Sequence, residues 1–552
     1  MPFVTFGGLA GWLHPVPPDL PASDMAAVLC SPLGDDVYAT FQGWRLLAEM
    51  LAARGIPTLR FDWPGTGDSA GVLPCDGVMA DWINSIGTAS DYVRQATGAT
   101  HVALVGLRLG AVLAARAAGA SPIAALALLA PVTGKQLMRE LRLVHQVATL
   151  QPGLAGAPLD VAGLTLTAAT VADIQALIVP DHLACPRILA VQARPAAVPD
   201  HAMSIPFEGY DAFFQDNLNA VVPEATLAHV AAWLDQPGPR RVVRVPDAPP
   251  ASLVVPGGVE TPVWFGPDRA LFGVVCTPSA PRPDAPATVL LSSGATHHVG
   301  NGRINVLLAR HLVQLGVTTV RMAMPGSGEN RDGNARHPYA PDLGTGLVAA
   351  LDWLEGAGYR RFAAFGLCSG GYVAMHAART EPRLSALLLL NVQVFDWRPG
   401  DSLAIPVRAQ ATYIDAVRNG QVWRRMLGRD GERLTVRRGV RVVALLAWRW
   451  LRGVAGRLRR QRLGARAQPR TVVGWLRQLG GGGCRVMLAW GNGDPGLDGA
   501  RAAFGPRLRR LSRVPGVSAA VLPGTHHIVN GAGPQTLFLA LASDFLLAED
   551  TV

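Results

Sequence analysis

The stretch Arg361 to Ala378, RFAAFGLCSGGYVAMHAA, decides the fold. Phe362 to Phe365 is a short apolar run of strand character, Gly366-Leu367-Cys368-Ser369-Gly370-Gly371 is a tight turn, and the small and apolar residues after it read as a helix. A strand that turns this sharply into a helix strains its central residue, so the residues two before and two after must be small. Centred on Cys368 the flanks are Gly366 and Gly370; centred on Ser369 they are Leu367 and Gly371, and Leu367 would crowd the turn. Cys368 is therefore the residue raised at the tip. The plainer alternatives are a buried cysteine beside a glycine-rich turn, or a dinucleotide-binding loop.

The residues downstream of the turn favour chemistry over these alternatives. Gly-x-Cys-x-Gly resembles the dienelactone-hydrolase form of the Gly-x-Ser-x-Gly elbow of α/β-hydrolases, in which the nucleophile is followed along the chain by an acid and then a histidine. The strand-like run Arg485 to Trp490 leads into Gly491-Asn492-Gly493-Asp494, which makes Asp494 the expected orienting acid, with Asp498 and the more distant Asp396 as substitutes. The run Ala519 to Leu522 leads into Pro523-Gly524-Thr525-His526-His527, and His527 matches the hydrolase histidine loop better than His526. The expected oxyanion donors are the backbone N–H of Ser369 and one from Gly294-Ala295-Thr296, taken as Ala295. On this reading the Ser369 hydroxyl is incidental. A histidine pair without a third ligand at metal spacing makes no metal site, and no cofactor is expected.

The chain repeats. Trp63-Pro64-Gly65-Thr66-Gly67-Asp68-Ser69 matches Met324-Pro325-Gly326-Ser327-Gly328-Glu329-Asn330 at a separation of 261 residues, and the elbow glycines Gly106 and Gly366 lie 260 apart. A period this long is a duplicated domain. Strands alternate with helices in both copies, so each is expected to be a mostly parallel doubly wound sheet. The resemblance implies two tandem α/β-hydrolase domains, each with a helical cap insertion. The expected division is residues 1–236, a Pro/Gly-rich linker at 237–258, and residues 259–552 with an arginine-rich cap at about 400–470. The second copy should open with an antiparallel hairpin of Thr261 to Phe265 and Leu271 to Cys276.

The first copy lacks the chemistry. Its elbow reads Gly106-Leu107-Arg108-Leu109-Gly110, the acid position reads Gln192-Ala193-Arg194-Pro195, and Phe207-Glu208-Gly209-Tyr210-Asp211 offers no histidine. Arginine does not lose its proton in a protein and cannot attack a carbonyl. Two readings remain: a degenerate duplicate in which Arg108 pairs with a local acid such as Asp35 or Asp36, or a pocket in which Arg108 holds a carboxylate or phosphate.

Composition bounds the rest. Six scattered cysteines in 552 residues form no C-x-x-C pair, which argues against zinc and a disulfide framework. The start, MPFVTFGGLAGWLHPVPPDL, has no basic segment and carries prolines where an apolar core should run, so no signal peptide is read and a cytoplasmic protein is expected. The net charge of +10 is local: Arg408 to Arg470 holds seventeen arginines against three acids, so the remainder is net acidic. That argues against a nucleic-acid protein. Within this segment, Gly439 to Leu463 sets Arg441, Arg449, Arg452, Arg459 and Arg460 opposite Val443, Ala447, Trp450, Leu451, Val454 and Leu458 at helical spacing. The expectation is a lid over the site, with peripheral contact to anionic lipid at the inner membrane as its functional alternative.

Each half resembles the serine-aminopeptidase-like or lysophospholipase-like α/β-hydrolases, and the phrases GLRLGA and GATHHVGNGR are similar to those of exosortase-system-associated hydrolases of surface-polysaccharide gene clusters. The resemblance implies a hydrolase or acyltransferase acting on a small acyl ester or thioester. The alternative is a non-catalytic tandem scaffold.

Overall fold

The computed structural model describes residues 2–71, 76–149, 158–194, 196–215, 218–241, 251–294, 296–333, 337–398 and 468–548. The first sheet contains Phe3–Phe6 (β1), Leu9–His14 (β2), Met25–Cys30 (β3), Thr58–Phe61 (β4), His101–Leu107 (β5), Ala125–Leu129 (β6), Ile188–Gln192 (β7) and Met203–Pro206 (β8). Their order across the sheet is β1-β2-β4-β3-β5-β6-β7-β8. The second sheet contains Leu253–Val255 (β9), Gly258–Phe265 (β10), Leu271–Pro278 (β11), Ala287–Leu291 (β12), Thr319–Met322 (β13), Phe362–Leu367 (β14), Leu384–Leu390 (β15), Arg485–Gly491 (β16) and Val517–Leu522 (β17). Apart from the extra edge strand β9 it repeats the same order, β10-β11-β13-β12-β14-β15-β16-β17. In both sheets the first strands are antiparallel and the strands from the third onward run parallel.

The central strands are apolar throughout, as in Ala125–Leu129 and Leu384–Leu390, because helices cover both faces of a parallel sheet. In the first half Asp36–Ala52 covers one face, and Val78–Thr97 with Leu109–Ala120 the other. The equivalents in the second half are Ile304–Gln314, Gly344–Gly356 and Ser369–Ala378. The expected opening hairpin of the second half is present as β10 and β11.

The stretch expected as a plain linker has structure at both ends. Arg240–Arg241 pairs with Ala22–Ser23 on the first half, and β9 joins the second sheet. Between β6 and β7 the first half carries an insertion made of the helix Gly134–Thr149, the hairpin Leu159–Val161 with Leu164–Leu166, and the helix Ala168–Gln175. The second half has its own long insertion at the corresponding place, between β15 and β16. Residues 399–467, including the expected arginine-rich cap and its helix, lie outside the described residues.

The two halves meet through side chains on the antiparallel strands that open each sheet. Phe3 and Trp12 of the first pack against Phe272 and Trp264 of the second, with Trp12 and Phe272 ring centroids 4.7 Å apart. Charged and aromatic contacts also cross between the halves beside this apolar seam. Arg303 reaches across with its guanidinium to cap three carbonyls of the first half's turn, Gly65 (2.7 Å), Gly67 (2.8 Å) and Ser69 (2.6 Å). His298 meets Asp68 at 2.6 Å, and His297 stacks on Phe41 with centroids 4.6 Å apart. The histidines of GATHHVGNGR thus belong to the seam. Two clefts lie there, lined among others by Asp62, His297 and Val299. Among the described residues, no helix is long and apolar enough to cross a membrane.

Candidate active site

Cys368 links β14 to the helix Ser369–Ala378 with φ 52° and ψ −114°, a conformation that L-residues rarely adopt. The glycines on either side explain how the chain manages the turn. A Cβ on Gly366 would lie 2.2 Å from the Gly370 carbonyl carbon, and one on Gly370 would lie 2.6 Å from the Ser292 oxygen. The first half builds the same turn, Arg108 having φ 54° and ψ −112°. There a Cβ on Gly106 would come within 2.4 Å of Ala111 Cα, and one on Gly110 within 2.1 Å of the Cys30 oxygen. The backbone of the elbow survives in both copies; only its tip differs. Together with the strand order, this makes both halves α/β-hydrolase folds.

Asp494 follows β16 and caps the helix Pro495–Phe504. Its Oδ1 accepts the Gly496 N–H at 2.6 Å, the usual work of an Asp before a first-turn proline. That bond fixes the carboxylate so that Oδ2 meets His527 Nδ1 at 2.5 Å. The Asp494 side chain is wholly buried, while the His527 ring is partly shielded and 18% exposed. Burial alone would lower the imidazole; Cys368 and Asp494, by charge and by hydrogen bonding, outweigh it and push His527 up to about 10. Gln393 Nε2 also lies 3.0 Å from His527 Nδ1, and the Tyr339 hydroxyl lies 4.0 Å from Cys368 Sγ.

The substitute residues are elsewhere. Asp498 is exposed and faces Arg501 at 3.7 Å, and Asp396 faces Arg398 at 3.3 Å. The His526 ring lies over Gly493, where a Cβ would meet its Nδ1 at 2.4 Å. Burial first, then the nearby charge of His145 from the first half, lowers its pKa.

Ser369 begins the elbow helix, so its N–H has no carbonyl within the helix to bond. Its hydroxyl is not incidental: it accepts the Gly294 N–H at 2.7 Å and ties the elbow to the loop after β12. The Gly294 donor is therefore engaged with Ser369. Ala295 lies outside the described residues.

Asn391 belongs to the site although no motif in the sequence marks it. It ends β15 at φ 53° and is fully buried. Its side chain accepts the Gly491 N–H at 2.8 Å and donates to the carbonyls of His526 (3.0 Å) and His527 (2.8 Å), so one amide links the start of the acid turn to the histidine loop. The matching residue of the first half, also at positive φ, is Ala130. The difference between the two copies at that strand end is the one signal the sequence offers.

Arg108 corrects the anion-pocket reading. Its guanidinium faces Asp36 at 2.7 Å, contacts Glu140, donates to the Tyr210 hydroxyl at 2.5 Å and lies 5.4 Å from the Phe214 ring centroid. Two carboxylates already balance the one cation, so no positive charge is left to draw in a further anion. Tyr210, four residues past the end of β8, stands where the second half has His526, and Asp211 stands at the His527 position.

Among the described residues, no group of three His, Cys, Asp or Glu could hold a metal ion. No protein-family model and no curated protein sequence matches the chain. Among solved structures it is similar to Est1E from Butyrivibrio proteoclasticus, at 13% identity over 52% of this chain and 97% of that one, with a TM-score of 0.31. It is also similar to a dienelactone hydrolase from Anabaena variabilis, at 14% identity over 53% of this chain and 98% of that one, with a TM-score of 0.32. For the α/β hydrolase GrgF from Penicillium sp. the values are 17% identity, 52% and 97% coverage, and a TM-score of 0.32.

Proposed function

We propose that the second half is an acyl hydrolase or acyltransferase that works on an ester or thioester through Cys368, His527 and Asp494. The observation that carries this reading is the 2.5 Å contact between His527 Nδ1 and Asp494 Oδ2, made by a histidine whose ring also interacts with the cysteine at the elbow tip. With Nδ1 directed at Asp494, Nε2 is the nitrogen left to face the thiol.

In the proposed reaction His527 Nε2 takes the Cys368 thiol proton, and the thiolate sulfur bonds to the acyl carbon as the carbonyl π pair moves to oxygen. The Ser369 N–H and a donor from the loop after Gly294 would hold that oxygen. Collapse breaks the bond to the leaving alcohol or thiol, which takes the proton from Nε2 and leaves an acyl-Cys368 thioester. Water, or an acceptor hydroxyl, then gives its proton to Nε2 and attacks the thioester, releasing the acid or new ester and restoring Cys368. Asp494 holds the ring and stabilises the imidazolium formed in each half-reaction.

The proposed partners are a small acyl substrate and, for the Arg408 to Arg470 segment, anionic lipid headgroups at the inner membrane. A link to surface polysaccharide or lipid metabolism follows only from the resemblance of GLRLGA and GATHHVGNGR. Steady-state turnover of short-chain p-nitrophenyl esters and acyl thioesters tests the activity. Cys368→Ala and His527→Ala should each lose about a thousandfold or more. Retained turnover in Cys368→Ala would move the nucleophile to another residue, and absence of turnover in the parent would return the chain to the non-catalytic scaffold reading.

A further inference from the structure

The first half has no triad of its own, yet its inserted hairpin reaches the loops that carry the second half's chemistry. The hairpin turn is Ala162-Gly163, at φ 46° and 85°. Gly163 lies against the backbone of Gly302, where a Cβ would sit 2.0 Å from the Gly302 oxygen and 2.3 Å from its Cα and carbonyl carbon. Gly302 in turn backs onto the histidine loop: a Cβ there would meet Ile528 Cγ2 at 3.1 Å and Asn530 Oδ1 at 3.2 Å. The Gly163 carbonyl accepts a 3.0 Å hydrogen bond from Gln535 Nε2, which also donates to the Val529 carbonyl at 3.3 Å.

A second contact braces the same loop at its end. Gly531 leaves room for Asp160, since a Cβ on it would fall 2.6 Å from Asp160 Oδ2. Thr165 donates to the other Asp160 oxygen at 2.6 Å, and His145 Nδ1 donates to the Asp160 carbonyl at 3.1 Å, which ties the hairpin to the helix behind it. His145 is also the group whose charge acts on His526, next to His527 in the chain.

We propose that the hairpin turn at Ala162-Gly163 is a positioning element for the second half's active site, holding the Gly300–Arg303 segment and the His527–Gly531 loop in register so that His527 stays aligned between Asp494 and Cys368. Gly163 is its key positioning residue, and the first half serves as an intramolecular brace. The proposal rests on the Cys368 reading of the second half. The hairpin meets Gly302 backbone to backbone, where no side chain can yield, and the displacement passes to the histidine loop through Ile528, Asn530 and Gln535. A misplacement of about 1 Å at a catalytic group costs up to about a hundredfold in rate.

The test uses the full chain. Gly163→Ala displaces the turn, and Gly358→Ala is its control, because Gly358 also has positive φ (100°) but nothing within 4 Å. Gln535→Ala removes the hydrogen bond without backbone strain and serves if Gly163→Ala folds poorly. Turnover of a p-nitrophenyl ester and amide hydrogen exchange over residues 526–531 are read together. The expected result is kcat lower by about tenfold or more in Gly163→Ala with KM within about twofold. Exchange should be faster in Gly163→Ala and, to a smaller degree, in Gln535→Ala, and Gly358→Ala should match the parent. Parental kcat and parental exchange in both Gly163→Ala and Gln535→Ala would overturn the brace. If the parent has no Cys368-dependent turnover, the catalytic reading fails, and exchange alone decides: faster exchange in the two variants keeps the brace, and unchanged exchange removes it.

Discussion

Asp68 and Glu329 hold the same place in the two halves, 261 residues apart, and each is bound by the arginine of the other half. Arg321 contacts Asp68, and Arg60, which lies 261 residues before Arg321, meets Glu329 at 2.8 Å. The seam is thus a pseudo-two-fold interface of the kind two identical subunits make, preserved inside one chain. Arg321 is wholly buried and has Glu260 at 2.8 Å as its second partner. Removing one member of such a network leaves a buried charge short of its counter-charge.

Asp68→Asn should therefore lower unfolding free energy by about 3–5 kcal/mol in urea denaturation. Asp91→Ala breaks the exposed 3.0 Å pair with Arg94 and should change it by less than about 0.5 kcal/mol. Equal small effects at both sites would show that the seam charges carry no net weight.

Asn391→Ala copies the first half's Ala130 into the second. It removes the bonds that link the acid turn to the histidine loop, worth about 1–3 kcal/mol when left unmade in a buried place. The expected outcome is a fall in kcat of about ten- to a hundredfold with KM little changed, measured on a p-nitrophenyl ester. A rise in KM with kcat unchanged would assign Asn391 to the substrate pocket.

Ser369→Ala frees the Gly294 N–H from its 2.7 Å bond but leaves the backbone donors of the elbow in place. Its kcat should fall by about three- to thirtyfold, against about a thousandfold or more for Cys368→Ala. Matching losses in the two variants would contradict the choice of Cys368 over Ser369 as the nucleophile.

His527 sets a pH dependence of stability. Its folded value is raised from 6.5 to about 10, so the fold holds the proton more tightly than the unfolded chain. The contribution is full below the unfolded value of 6.5 and is lost as pH rises through about 10. The stability gap between the parent and His527→Gln should accordingly shrink by an amount on the order of a few kcal/mol between about pH 6 and about pH 10.5, in denaturation at each pH. A gap that widens with pH would mean that the histidine is held neutral.

The local features are legible in the sequence and the long-range ones are not. Gly366 and Gly370 announce the elbow because only a turn that brings backbone against backbone needs small residues at that spacing. Asp494 and His527 can be placed because each follows a strand end that apolar runs define. The role of the Ser369 hydroxyl is hidden because its partner, Gly294, comes from another strand end, 75 residues back. Arg108 stays open between two readings until Glu140 reaches it from the inserted helix. Neither contact has a local periodicity. The start of the helix at Asp36 is hidden too, since Asp36 to Gly43 mixes polar and apolar residues and its contacts with Arg108 and the seam hold it in place.

Transfer of the acyl group to Cys368 is the step on which the proposed chemistry depends. The direct measurement is intact-protein and peptide mass spectrometry after brief exposure to a p-nitrophenyl ester or acyl thioester, with quenching in acid. One acyl group should be added to the parent, mapped to Cys368, also present in Ser369→Ala, absent from Cys368→Ala and more persistent in His527→Ala wherever acylation still proceeds. An acyl group found on Ser369, or the same labelling of Cys368→Ala as of the parent, would contradict transfer to Cys368.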